Sequence, residues 1–266
     1  MLSAVYGKLE KMNQMDKFNC DKCRSVTLSY YETWLGEPGC LTDNKGSRFV
    51  YSTERNAVQT GYSSQMDVYI WVQHDRTVVS YGDKVKEKIR DVDISNNCIH
   101  TVSDYLRKTF GGKVSHCVKY VYGGAPAGQD NNMKTKTLTA DDYGDFERFF
   151  NEIIPADNST WLPQYFYDIA AKNFCAGVYA NGILASCTDA ASMPYMADKL
   201  QEIGINTLEA YRGRGYAAAV CRKAAENILN GGRFPVWSHD VDNEGSRRLA
   251  ESIGFKKLGD VILLTV

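Results

Sequence analysis

The run Tyr211-Arg212-Gly213-Arg214-Gly215-Tyr216-Ala217 constrains this chain more than any other stretch. Before it stands Glu202-Ile203-Gly204-Ile205-Asn206-Thr207, short and β-branched, which reads as a strand. After it, Ala217, Val220, Cys221, Ala224 and Ile228 recur at helical spacing, while Arg222, Lys223, Glu226 and Asn227 fall on the other side. Gly231-Gly232 then marks the helix end. A strand, a glycine turn and a helix in this order make an anion cradle. Glycine lets the backbone turn sharply and approach a ligand, and the N–H groups of a helix start have no intrahelical partner and carry the positive end of the dipole. Alone, the run equally fits a tight, solvated strand-to-helix connection.

Charge narrows the partners. Lysines and arginines number 31 and acids 32, a net charge of -1, without the basic excess expected of a nucleic-acid binder. No stretch has the length of a membrane-spanning helix, and Lys8, Lys11 and Lys17 interrupt any apolar signal core, so a cytoplasmic protein without a membrane partner is expected. The eight cysteines are scattered, several within apolar runs such as Phe174-Cys175-Ala176, and read as free thiols. Cys20-x-x-Cys23 has no second pair to complete four zinc ligands, and neighbours such as His116 and Cys117 point to opposite faces of a strand. No metal is expected.

With 266 residues the chain is long enough for two cores. Leu2, Val5, Leu9 and Met12 suggest an initial helix, followed by a less regular part with turn signals at Gly36-Glu37-Pro38-Gly39 and Asp43-Asn44-Lys45-Gly46. Residues 66–72 and 77–81 read as a hairpin, 102–110 as a helix and 114–122 as a strand. Periodicity vanishes over 123–132, rich in Gly, Pro, Asn and Gln, which places a linker there. The expected division is an α+β domain over 1–130 and a second domain over 136–266. The second reads as a short strand at 136–139, helices at 140–153 and 161–171, and a hairpin of 174–179 and 183–188 around Asn181-Gly182. It continues with the Glu202 strand, the glycine turn and its helix, a strand at 234–238, a helix from Asn243 and a last strand at 261–266. This order predicts an α+β fold with a mixed, partly antiparallel sheet flanked by helices.

Residues 136–266 resemble the GNAT superfamily of acyl-CoA-dependent N-acetyltransferases. The family's cofactor motif is Arg or Gln, two free positions, Gly, one free position, then Gly or Ala, and Arg212-Gly213-Arg214-Gly215-Tyr216-Ala217 fits every fixed position. A second family signal is a strand, an Asn, a helix with a spaced small residue, and a terminal Gly-Phe. It is matched by Pro235-Val236-Trp237, Asn243, Ser246, Leu249-Ala250 and Ile253-Gly254-Phe255. Within the superfamily these stretches look like the zwittermicin A resistance-type branch. The resemblance implies that the backbone of Ile205, Asn206 and Thr207 pairs with the pantetheine arm of acetyl-CoA, and that the loop of Arg212, Gly213, Arg214, Gly215, Tyr216 and Ala217 holds its pyrophosphate. Asn243 would reach the cofactor from the last helix with Ser246 on the same face, and Asn243 equally suits the helix N-cap. Of the nearby cations Arg214, Arg222, Lys223, Arg247 and Arg248, only Arg214 lies inside the loop.

Acetyl transfer to an amine needs a base, since an alkyl ammonium titrates near 10.4. The family often places a Glu on this strand, which makes Glu202 the first candidate, one residue offset from some members. His239 is the second, with a pKa range suited to neutral chemistry. Asp240 and Asp242 either bind a cationic amine or cap the next helix. Many members carry a Tyr as acid four positions before the terminal glycine, where this chain has Ala250. The expected activity is therefore N-acetylation of a primary amine of a small molecule by direct transfer, in a monomer or homodimer. The N-terminal part would help form the acceptor site and resembles at most a diverged copy of the fold, without a second cofactor motif. A non-catalytic acyl-CoA-binding module and a protein-modifying acetyltransferase are the alternatives.

Overall fold

The computed structural model describes residues 20–43, 46–73, 75–95, 98–124, 133–155, 160–189 and 193–266. The expected helix around Leu2 to Met12, the tip of the first hairpin at His74 and most of the 123–132 linker lie outside the described residues.

Among the described residues the first helix is one the sequence reading did not anticipate, α1 over 20–35. Its buried stripe is Cys23, Thr27, Tyr30, Tyr31, Trp34 and Leu35, an i, i+4, i+7 spacing built from residues of middling helix propensity. Gly36 ends it at φ 80. The Gly36 N–H donates to Thr33 O at 3.1 Å and the Glu37 N–H to Glu32 O at 3.2 Å, the paired bonds of a glycine helix stop.

Eleven strands follow within the described residues. In the first half are β1 (Arg48–Tyr51), β2 (Val68–Gln73), β3 (Arg76–Tyr81), helix α2 (Ile99–Phe110) and β4 (Lys113–Tyr122). The second half has β5 (Lys136–Thr137), helices α3 (Tyr143–Ile153) and α4 (Leu162–Ala171), and strands β6 (Ala176–Ala180), β7 (Ile183–Asp189), β8 (Leu200–Glu202) and β9 (Gly204–Thr207). It ends with α5 (Tyr216–Asn230), β10 (Phe234–Asp240), α6 (Glu244–Ser252) and β11 (Phe255–Thr265). A seven-stranded sheet runs β1-β3-β2-β11-β4-β10-β8, and a four-stranded sheet runs β5-β6-β7-β9. Pairing is antiparallel except for β1 with β3 and β10 with β8. The expected mixed, partly antiparallel sheet flanked by helices is what forms.

The expected division of the chain at 123–132 is not a division of the sheet. Strand β4, which precedes that segment, lies between β10 and β11, which follow it. Backbone ladders therefore cross the composition break, and neither half completes its sheet alone.

The large sheet is covered on both faces, which explains why β2 and β3 read as continuous apolar runs. On one face Tyr69, Trp71, Val78, Val121, Val236 and Val261 pack under the α1 residues Tyr30, Tyr31 and Trp34. On the other, Val68, Ile70, Val72 and Ile262 pack under Val102 and Leu106 of α2. Further along, Val118, Tyr120 and Trp237 join Phe146, Phe166 and the α5 residues Val220, Ala224 and Ile228. Strand β11 begins six residues earlier than the sequence pattern suggests. Its polar start, Lys256 and Lys257, is exposed, and a bulge at Gly259 leaves room against the Trp71 indole that a Cβ would occupy.

Candidate active site

The strand read from the sequence as one element changes partner in its middle. Strand β8 pairs with β10 in parallel register, Leu200 with Phe234 and Glu202 with Val236. The Ile203 N–H still donates to Val236 O at 3.2 Å. Beyond it, β9 pairs with β7, Thr207 against Ser186 and Ile205 against Thr188. Among the described residues, Trp237 to Asp240 of β10 pair only with β4. The two chains splay into a wedge with Glu202 at its apex. One edge of β9, the stretch of Ile205, Asn206 and Thr207, faces that wedge with backbone groups not used by β7.

The glycine loop closes the far end of β9. A 3-10 turn, Glu209–Tyr211, leads into Gly213 at φ 74 and Gly215 at φ 79. Gly215 is the N-cap of α5 and offers no side chain to the helix start. The first intrahelical bond is Ala219 N–H to Gly215 O at 3.1 Å, so the N–H groups of Tyr216, Ala217 and Ala218 precede the ladder. Nothing lies within 4 Å of a Cβ built on Gly213 or Gly215. These glycines are therefore required by backbone conformation, and the space before the helix is open to an anion. Arg212 ties the loop to the strand, its Nε donating to Thr207 O at 3.3 Å. Arg214 folds back, donating to Ala210 O at 3.1 Å with its guanidinium 5.4 Å from the Tyr211 ring.

The two candidate bases are not brought together. Paired residues share a sheet face, so Glu202, Val236 and Ser238 project together, and the Ser238 hydroxyl donates to Glu202 Oε1. The same face carries Lys119 and Cys117 of β4, opposite Ser238 and Asp240. His239 projects to the opposite face, where it is 7% exposed. Its Nδ1 lies 2.8 Å from Asp240 O and its Nε2 3.2 Å from the Tyr120 hydroxyl. A carbonyl only accepts, so Nδ1 carries the proton, and in the neutral ring Nε2 accepts from Tyr120. His239 is held as a packed partner of Tyr120 and is turned away from Glu202.

The last helix engages its expected residues internally. Asn243 Oδ1 accepts from the Ser246 N–H at 2.9 Å, which makes Asn243 the N-cap of α6. Ser246 Oγ accepts from the Trp237 indole at 3.0 Å. Asp240 supplies carbonyl acceptors to the Asn243 N–H and His239, while its carboxylate accepts from Cys117 Sγ at 3.4 Å. Lys223, Arg247 and Arg248 pair along their own helices with Glu226, Glu244 and Glu251, as solvated surface charges do. Ala250 is fully buried in the core under α6. Cys20 Sγ donates to Gly123 O at 3.1 Å, and burial pushes the Cys23 thiol up to about 11, so these two act as packed thiols.

Sequence reading missed the wall that faces Glu202. Burial pushes the phenols of Tyr30, Tyr31 and Tyr62 up, and the charge of Glu202 adds to each shift. Burial likewise raises the Cys117 thiol, with Asp240 and Glu202 contributing. These groups come from α1, from the segment after β1 and from β4, so the N-terminal part of the chain builds one side of the wedge. The helical spacing of Tyr30, Tyr31 and Trp34 was the available signal.

Residues 174–261 match the family model described as GNAT acetyltransferase. They span β6 to the bulge of β11 and include the wedge, the glycine loop and Asn243. Over this segment the chain is similar to GNAT acetyltransferases. The uncharacterized N-acetyltransferase YdfB of Bacillus subtilis (strain 168) is 31% identical over 105 residues, 38% of this chain and 39% of that protein. The chain thus matches about two-fifths of the length of this curated relative. Among solved structures, a GNAT-family acetyltransferase from Colwellia psychrerythraea is similar at TM-score 0.49 and 14% identity, covering 61% of each chain. A GCN5-related N-acetyltransferase from Sphaerobacter thermophilus is similar at TM-score 0.49 and 17% identity, covering 62% of this chain and 56% of the other. Among the described residues no helix is long and apolar enough to cross a membrane.

Proposed function

We propose that this chain transfers an acetyl group from acetyl-CoA to a primary amine of a small molecule, by direct transfer while both substrates are bound. The observation that carries this reading is the change of partner at Ile203, which opens a strand edge beside a glycine-capped helix start and leaves Glu202 where the strands part. We infer that the chain falls in the zwittermicin A resistance-type branch, on the residues around Glu202 and Asn243.

Acetyl-CoA supplies an activated thioester. The edge of Ile205, Asn206 and Thr207 suits its amide-bearing arm, as strand addition does, and the N–H groups of Tyr216, Ala217 and Ala218 suit its pyrophosphate. Arg214 stands in the loop as the charge-assisted donor. Glu202 takes the proton that the acceptor ammonium must lose, and the Ser238 hydroxyl fixes the carboxylate's orientation. As the C–N bond forms the C–S bond breaks. A thiol titrates near 8.5, so the thiolate is a tolerable leaving group and takes its proton from water, with no phenol at position 250 required. The aromatic residues of α1 pack beside Leu200 and Val236, next to Glu202, and favour a small acceptor over a protein surface.

The test is thiol release from acetyl-CoA across a panel of small amines, with CoA binding measured in parallel by calorimetry. Turnover with at least one amine is expected. CoA binding with no turnover on any of them would instead support a non-catalytic acyl-CoA-binding module.

A further inference from the structure

The sheet face that carries Glu202 is covered for part of its length and then opens. Val236 of β10 and Val121 of β4 stand side by side on it, 2% and 5% exposed, packed under Tyr30, Tyr31 and Trp34 of α1. The next two rungs on the same face are Ser238 beside Lys119 and Asp240 beside Cys117. Ser238, Lys119 and Cys117 are half-buried and Asp240 is exposed, so solvent reaches the sheet where the Ser238 hydroxyl holds Glu202. These rungs are the open approach to Glu202 for an acceptor.

Lys119 is the cation of this opening. Facing residues of an antiparallel pair stand about 5 Å apart at Cα, so the foot of Lys119 is one strand from Ser238 and two from Glu202. Its flexible four-carbon stem can span that distance, and two carboxylates, Glu202 and Asp240, share its face. It pairs with neither. Among the described residues its ammonium forms no ion pair, while Glu202 takes the Ser238 hydroxyl and Asp240 the Cys117 thiol at 3.4 Å. Burial raises the Cys117 thiol and the charge of Lys119 opposes that rise, as an ammonium on the same face would.

The far side of Lys119 is also short of acceptors. Its other neighbour across the ladder is Gly259 of β11, and over that bare position lies the indole edge of Trp71, with Nε1 3.1 Å from where a Cβ would stand. Trp71 is fully buried, and its N–H has no hydrogen-bond partner among the described residues. An indole N–H and an ammonium only donate. Two donors without acceptors beside an open stretch of sheet mark the place of an anionic group, and Glu202 on the other side of Ser238 marks the place of the amine.

We propose that Lys119 receives a carboxylate on the acceptor, so that the molecules acetylated at Glu202 carry a primary amine and a carboxylate a few bonds apart, as small amino acids do. This rests on the acetyl-transfer reading. The acceptor lies across Ser238, its amine toward β8 and its carboxylate toward β4. Covalent geometry separates the two groups of an amino acid by about 3 Å, and a charge-assisted bond of about 2.8 Å at each end gives a span of roughly 9 Å. Two strand spacings, from β8 over β10 to β4, are nearly the same, about 9.6 Å. One ammonium balances a single negative charge, which suits a carboxylate better than a dianionic phosphate.

The experiment compares small amino acids with their carboxamides on two readouts, binding to the CoA-saturated protein by calorimetry and transfer by thiol release. The carboxylate member is expected to bind about tenfold more tightly, the lower end of a charge-assisted bond, because the site is half open. In Lys119→Gln that preference should shrink to within about twofold, and in Lys119→Arg it should persist, with CoA affinity unchanged in both as the check on folding. Equal binding of carboxylates and carboxamides by the unaltered protein overturns the proposal without any variant, as does a preference that survives Lys119→Gln. Thiol release with both members alike removes the receptor and keeps the transferase, whereas a carboxylate preference in binding without thiol release keeps the receptor and removes the transferase.

Discussion

Ser238 and Glu202 meet across the last rung of parallel pairing between β10 and β8, the hydroxyl donating to the carboxylate at the point where the strands part. The bond fixes one carboxylate oxygen of Glu202.

Replacing Glu202 by Gln keeps the shape and removes the base of the proposed mechanism. The expected loss in kcat/KM is roughly 100-fold or more, the usual contribution of a positioned general base. CoA affinity should change little, because Glu202 precedes the β9 edge. Ser238→Ala should reduce kcat by a smaller factor, about tenfold, with acceptor KM nearly constant, as loss of orientation predicts. An unchanged pH profile and rate in Glu202→Gln would remove this residue from the reaction.

The glycine loop makes a separate prediction about CoA. Gly215 holds φ 79 at the N-cap of α5, a conformation that costs an L-residue about 1–2 kcal/mol. Gly215→Val should therefore lose stability by that amount and weaken CoA binding at least tenfold, because the added side chain enters the open space before the helix. Calorimetric titration of CoA into the folded variant checks it. Retained affinity would show that the pyrophosphate sits elsewhere.

The strand, glycine turn and helix were readable in the sequence because each is specified locally, by β-branched residues, by glycines needing positive φ, and by helical spacing from Ala217 to Ile228. The opposition of Glu202 and His239 was not, since it depends on the register of Val236 against Glu202 and of Trp237 against Tyr120, which only the assembled sheet sets. The break after Glu202 was hidden for a related reason. Ile203 is as β-prone as its neighbours, and what changes there is the pairing partner. Helix α1 escaped notice because Thr27, Tyr30, Tyr31 and Trp34 are not strong helix formers, and packing against Tyr69 and Trp71 stabilises their turn of chain. The break in composition at 123–132 looked like a boundary, although β4 crosses it by inserting between β10 and β11.

Ser246 and Trp237 test whether α6 serves the fold or the cofactor. Ser246 Oγ is the acceptor for the buried Trp237 indole at 3.0 Å. Ser246→Ala leaves that N–H unsatisfied, for an expected destabilisation of about 1–3 kcal/mol in urea unfolding. CoA affinity should fall by less than about threefold, since the hydroxyl already has a partner inside the protein. A large loss of CoA binding with little change in stability would reverse this assignment.

Acid sensitivity is expected at Asp142, where α3 begins. Burial works against its charge, but Lys136, the Thr139 N–H at 2.9 Å and the Thr139 hydroxyl at 3.2 Å outweigh it, so its pKa lies below the usual carboxylate value. A group whose folded pKa is depressed contributes stability that is present above its unfolded pKa, near 3.9, and is lost as pH falls through the folded value. Lys136 is 53% exposed, so solvent screens part of its share, and the Thr139 bonds of the capping box act beside it. Asp142→Ala should cost about 1–2 kcal/mol at pH 7, and Asp142→Asn less, because the amide oxygen still caps. Urea unfolding of the Ala variant and the unaltered protein at pH 7 and below pH 3 should show the gap between them shrinking in acid. A gap that stays constant with pH would mean that Asp142 acts through shape alone.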